Sequence, residues 1–244
     1  MCCAVWTVKI RLTATDMAAH QPVILGGNES WTGIELSQSS DWVHTWSHEC
    51  VDELAEAVNH FKRLGLHWKK INRTNFPLKR TSQMLLDVAD TLEHGRGIAK
   101  LTGLSLDGYS LDDLRILFYG VCHWLGHPVC QSNSGEYLGK ICDEGADVGL
   151  RRGQMLDEDG KAFLSSQART RSSQPLRWHT DRADVVGLLS VNTPASGGVS
   201  RVASAVAIHD EMIRRRPDLT EVLYREPVAL PGTDSSTGRA RSLS

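Results

Sequence analysis

No run of apolar residues in this chain approaches the roughly 18–20 needed to span a bilayer, and its first residues lack the apolar core of an export signal. A membrane-spanning or secreted protein is not expected, and the cytoplasm is the expected compartment. Basic blocks are missing too: 27 Lys and Arg stand against 29 Asp and Glu, for a formal charge of -2. Phosphate recognition needs a basic face, so no nucleic-acid partner is expected. The short Arg214-Arg215-Arg216 cluster reads as favourable charge in a helix's last turn. Internal repeats are absent, which excludes a solenoid. Six cysteines, at 2, 3, 50, 122, 130 and 142, show no disulfide spacing and read as reduced thiols. Cys2 and Cys3 are candidates for acylation.

What is present is the patterning of one sizeable core, or of a domain and a half, in 244 residues. Val51, Leu54, Ala55, Val58, Phe61 and Leu64 form a stripe that predicts a helix over 48–64, stopped by Gly65. Ahead of it, Trp42, His44, Trp46 and His48 read as core packing. A second helix is predicted over 82–93, ending at Gly95, and Ile98 to Leu104 reads as a strand. A third helix carries Leu111, Leu114, Leu117, Phe118, Val121 and Leu125, with Ser110 as N-cap and Asp113 three residues on. Glu136 to Cys142 reads as a strand, and 145–175, polar and without periodicity, as a candidate lid. Residues 1–29 show no clear element and are expected to be a disordered extension, with Met17 an alternative start; 227–244, biased to Ser, Gly and Arg, is expected to be a disordered tail. The domain is expected to occupy 30–226.

Trp178-His179-Thr180-Asp181, followed by Gly197-Gly198-Val199-Ser200, is the most informative stretch. Leu176 to Asp181 and Asp184 to Val191 read as β-rich runs. In an extended strand the side chains at i and i+2 share a face, so His179 and Asp181 can offer an imidazole nitrogen and a carboxylate oxygen to one metal ion. These are two donors of the two-His, one-carboxylate facial triad of non-haem Fe(II) oxygenases. The competing reading is a strand His paired with a nearby Asp. An H-x-D triplet alone decides nothing; its surroundings carry the assignment.

The chain resembles the taurine dioxygenase family, the TauD/TfdA-type Fe(II)/2-oxoglutarate-dependent dioxygenases, over roughly residues 30–225. The matching blocks are the Trp178–Asp181 run, Gly197–Ser200, the Arg216-Pro217-Asp218-Leu219 end of the following helix, and upstream Gly95-Arg96-Gly97 with Leu101-Thr102-Gly103-Leu104. The resemblance implies an α+β fold with a partial double-stranded β-helix (jelly-roll) barrel and flanking helices, clavaminate synthase-like. It implies that His179 and Asp181 bind Fe(II), that Ser200 hydrogen-bonds the co-substrate 2-oxoglutarate, and that O₂ oxidises a small-molecule substrate. Gln131 and Asn133 offer amide groups at a strand–helix junction that could face the cofactor cavity or simply cap a turn.

The family pattern also calls for a second His and a 2-oxoglutarate-binding Arg downstream of the helix expected to end at Leu219. After Asp181 the one histidine is His209, inside the helical run Ala205–Arg214, where a helix-surface role is expected. The barrel is therefore expected to be incomplete at its C-terminal end and the activity impaired. Two other readings stay open: a non-catalytic remnant, and a zinc-stabilised interaction module built on Cys122, His123, His127 and Cys130. Gly126 and Pro128 interrupt that last set. Self-association is left open, and nothing in the residues names a substrate.

Overall fold

The computed structural model describes residues 4–8, 22–130, 135–145, 147–149, 154–156, 162–164, 166–173, 175–181, 183–192 and 198–224. They belong to two units, Met1–Ile10 with Trp31–Ala203, and Arg11–Ser30 with Ser204–Ser244.

In the larger unit, Gly33–Gln38 form α1, opened by a capping box between Thr32 and Glu35. The predicted amphipathic stripe folds as α2, His48–Arg63, with the Ser47 hydroxyl accepting from the Cys50 N–H. Its buried face is Cys50, Leu54, Ala57, Val58 and Phe61, and Gly65 follows at φ 63°, a left-handed conformation that costs glycine nothing. The next helix, α3, spans Thr81–Glu93 and has no side-chain cap of its own at Arg80. Glu53, on α2, supplies it: the carboxylate accepts from the N–H groups of Lys79, Arg80 and Thr81 at 2.7–3.1 Å. Burial pushes the Glu53 carboxyl up, but these N–H groups outweigh it and hold the group below its ordinary range. α4, Leu111–Leu125, opens with the predicted Ser110–Asp113 capping box.

Leu54 and Phe61 of α2, Leu85 and Val88 of α3, Leu117 of α4 and Phe76 meet in one core, where each fully buried large side chain contributes about 1.5–3 kcal/mol. Against it lies a sheet of order β2-β3-β1-β6, built from β1 (Ala4–Val8), β2 (Val43–Thr45), β3 (Ile98–Thr102) and β6 (Val185–Gly187). β2 and β3 run parallel, with His44 beside Leu101; parallel neighbours need a long crossover, which α2 and α3 provide. β1 pairs antiparallel with β3 and β6, with Trp6 opposite both Ala99 and Gly187. Ala99 and Leu101 enter the main core, whereas Ile98 joins Trp31 and Leu36 in a second cluster. β3 is thus buried on both faces.

Several expectations are corrected. β1 lies where no element was expected before residue 30, because AVWTV does not alternate apolar and polar residues and becomes a strand through pairing with β3. Glu136 to Cys142 holds no strand; the stretch bonds instead through Cys142 N–H to the Thr170 carbonyl and Glu144 N–H to the Arg171 carbonyl. The aperiodic 145–175 segment contains a hairpin pair, β4 (Gln154–Leu156) against β5 (Ala162–Leu164), then α5 (Ser166–Arg169). Three-residue strands fall below any periodicity window.

The smaller unit holds α6, Ala205–Arg215, and α7, Pro217–Leu223. Arg216-Pro217-Asp218-Leu219 does not end the first helix, as expected, but starts the second. The residue before a proline avoids the helical region, and Arg216 sits at φ -144°, ψ 67°, with Pro217 opening α7. Residues 22–30 are bound here through Asp210, which is fully buried and accepts from the N–H of Leu25 (2.8 Å) and Gly26 (2.9 Å) and from the Ser30 hydroxyl (3.2 Å). Among the described residues no helix is long and apolar enough to cross a membrane. The expected tail 227–244 lies outside the described residues.

Candidate metal centre

Residues 175–181 begin at a proline that cannot donate to a ladder, run through Arg177, His179, Thr180 and Asp181, and are all exposed. No strand forms there, which corrects the expected strand over 176–181; of the run 184–191, Val185–Gly187 alone pair, with β1. A strand requires a partner, and this segment has none among the described residues.

The two donors nevertheless face each other. His179 Nε2 stands 4.0 Å from Asp181 Oδ2, with both side chains about half exposed. His179 Nδ1 lies 2.7 Å from the carbonyl oxygen of Arg177. A carbonyl can only accept, so Nδ1 carries a proton and Nε2 is the ring nitrogen turned toward Asp181. That leaves Nε2 as the nitrogen placed for a metal, with the ring oriented by the backbone bond that such ligands commonly make. Two cis donors at about 2.1 Å from one ion sit about 3 Å apart, so about 1 Å of side-chain closure brings this pair to ligation distance. The donor set, one imidazole and one carboxylate, fits a divalent iron. Asp181 forms no ion pair with Arg177 among the described residues. The orienting carbonyl left no trace in the sequence, because every residue carries one.

Ser200 is exposed, in a stretch without regular structure that follows Gly198 at φ 67°. Gln131 and Asn133 lie outside the described residues. His209 is on α6, where its Nδ1 meets Asp210 Oδ1 at 3.2 Å and its Nε2 meets the Tyr224 hydroxyl at 2.6 Å. Its side chain is 17% exposed, so the expected surface position is corrected to a largely covered one with both ring nitrogens engaged. Of the zinc candidates, Cys122 and His123 are on α4, while His127 and Cys130 are exposed beyond its end. Burial pushes the Cys122 thiol up to about 12, far from the thiolate a zinc ligand must be. Among the described residues, these four included, no group of three or more His, Cys, Asp or Glu is placed to hold a metal ion, and the zinc reading gains no support.

A sequence model of the family described as taurine catabolism dioxygenase TauD, TfdA family matches residues 60–241. The chain belongs to this family. The motif blocks 95–104, 178–181, 197–200 and 216–219 all fall inside the TauD/TfdA match. The chain is 25% identical to the FR-33289 synthase of Streptomyces rubellomurinus over 198 residues, 81% of this chain and 55% of the relative. It is 24% identical to the taurine hydroxylase-like protein SAT17 of Stachybotrys chartarum over 220 residues, 88% of this chain and 55% of the relative. The chain spans about half the length of these curated relatives. Proteins of the TauD/TfdA family are oxidoreductases of the oxygenase type.

Proposed function

We propose that the chain is the part of an Fe(II)- and 2-oxoglutarate-dependent dioxygenase that supplies two of the iron ligands, His179 and Asp181, for hydroxylation of a small molecule. The observation that carries this reading is the His179–Asp181 pair, with Nε2 and Oδ2 4.0 Å apart and Nδ1 pinned on the Arg177 carbonyl. The fold is read as the first part of a double-stranded β-helix barrel. A bound iron with 2-oxoglutarate and O₂ supplies the oxidation of a C–H bond, with succinate and CO₂ as co-products.

The chain's own residues have three tasks. His179 presents Nε2, with the ring held by its Nδ1 contact to the Arg177 carbonyl. Asp181 contributes one negative charge, which favours a divalent ion and offsets part of its charge. The Ser200 hydroxyl would donate a hydrogen bond to 2-oxoglutarate. Both ring nitrogens of His209 are engaged, so among the described residues the proposed ligands are one imidazole and one carboxylate. We therefore expect weak iron retention and little turnover from this chain alone. Taurine, in the name of one relative, sets a class to screen first: small, polar, aliphatic molecules.

The test is anaerobic titration of the chain with Fe(II) and 2-oxoglutarate, read by the visible charge-transfer band, followed by succinate measurement in air. A faint band that disappears in both His179→Ala and Asp181→Ala is the expected result. Iron uptake indifferent to both substitutions would refute the assignment.

A further inference from the structure

The segment with His179 and Asp181 belongs to no sheet, yet its two donors stay 4.0 Å apart. Its root is held from outside. Arg169 Nη1 donates to the carbonyl of Pro175 at 3.3 Å, and Nε of the same guanidinium donates to the carbonyl of Leu164 at 3.1 Å. Leu164 ends β5 and Pro175 opens the metal-pair segment, so one side chain ties the hairpin to the base of the candidate site. The turn carrying Arg169 is itself fixed. Its carbonyl accepts from both the N–H and the hydroxyl of Ser172, and the Arg171 N–H donates to the Ala168 carbonyl. Arg171, whose side chain is 12% exposed, donates to Glu144 at 3.3 Å and Glu136 at 3.5 Å.

We propose that Arg169 is a positioning residue for the metal pair. This rests on the reading of His179 and Asp181 as ligands. The mechanism runs along the backbone: the guanidinium fixes the Pro175 carbonyl, two residues later the Arg177 carbonyl holds His179 Nδ1, and that bond sets the tautomer and aims Nε2 at Asp181. A rigid planar fork with several donors spans two carbonyls in a fixed geometry, whereas a lysine's compact head on a flexible stem offers no such fork. Losing the fork frees the root, and the imidazole loses its fixed carbonyl.

The test uses the full chain with Arg169→Ala, Arg169→Lys and His179→Ala, and two measurements. Nitrogen-15 NMR of the His179 ring in the metal-free protein reports the tautomer. Wild type is expected to be the Nδ1–H form, with both Arg169 variants shifting toward the Nε2–H form. Titration with Co(II) alone, followed by its ligand-field spectrum, reports affinity and coordination geometry. Both Arg169 variants are expected to bind about 10- to 100-fold more weakly with an altered band, while the chemical shifts of α2 stay put, which a general loss of structure would not allow. Wild-type Co(II) affinity and spectrum in Arg169→Ala, in a protein where His179→Ala abolishes binding, would overturn the proposal. If wild type binds no Co(II), or binds it regardless of His179, the ligand reading falls. The tautomer then still decides whether Arg169 sets the ring: an unchanged Nδ1–H form in Arg169→Ala would overturn that as well.

Discussion

Asp210→Asn isolates the contact that binds residues 22–30 into the smaller unit. The two carboxylate oxygens divide their donors: Oδ1 accepts from Leu25 N–H, Oδ2 from Gly26 N–H and the Ser30 hydroxyl. An asparagine keeps one acceptor oxygen but turns an NH₂ toward the other side. The Ser30 hydroxyl can rotate to accept, but the Gly26 N–H cannot. Leaving a covered N–H against another donor costs about 1–3 kcal/mol, and the surviving Leu25 bond loses its charge assistance, about 1 kcal/mol more. We expect a loss of about 2–4 kcal/mol, confined to local opening of this segment. Hydrogen exchange of the Leu25 and Gly26 amides reads it directly. At 1.36 kcal/mol per decade, their protection should fall about 30- to 1,000-fold while the Leu54 amide in α2 keeps its own. The same contact has a pH signature. Burial raises the Asp210 carboxyl, but the N–H groups of Leu25 and Gly26, with His209 and Ser30, outweigh it and hold it below its ordinary value. Its contribution is therefore complete above about pH 3.9, the ordinary aspartate value, and is lost as pH falls through the lower folded value. Asp210→Asn should abolish that acid dependence. Equal protection at Leu25 and Gly26 in variant and wild type would refute the reasoning.

Three further outcomes are expected. Gly120→Ala places a Cβ 2.5–2.7 Å from three ring atoms of Phe76, an overpacking cost of about 2–3 kcal/mol that exceeds the gain in helix propensity of about 1 kcal/mol. Denaturant unfolding should show a net loss of about 1–2 kcal/mol, and a more stable variant would contradict the packing of α4 on Phe76. Cys122, with its thiol near 12, is about one part in ten thousand thiolate at pH 8, so iodoacetamide should label it after denaturation and not before. Ser200→Ala should weaken 2-oxoglutarate binding, measured by titrating the charge-transfer band, by about 0.5–1.5 kcal/mol, or up to about 3 if the hydroxyl meets the carboxylate; unchanged affinity would remove Ser200 from the site.

The local chemistry of this protein was legible without a structure. The α2 stripe from Leu54 to Phe61, the Ser110–Asp113 cap and the Gly65 stop act over a few residues, so sequence spacing alone determines them. The i, i+2 pairing of His179 and Asp181 was legible for the same reason, although the strand meant to carry it does not form. Family membership likewise followed from short ordered motifs, all inside the matched span. Tertiary structure decided what depends on distant partners. Ala4–Val8 became a strand because Ile98–Leu101 pair with it, and Arg80, lacking a cap, borrowed Glu53 from another helix. Asp210 reached 185 residues back to Leu25, and the Arg177 carbonyl and the Arg169 fork placed His179 through groups with no distinctive sequence pattern. A backbone carbonyl is the same at every position, so which one orients a ligand is settled only when the chain has folded.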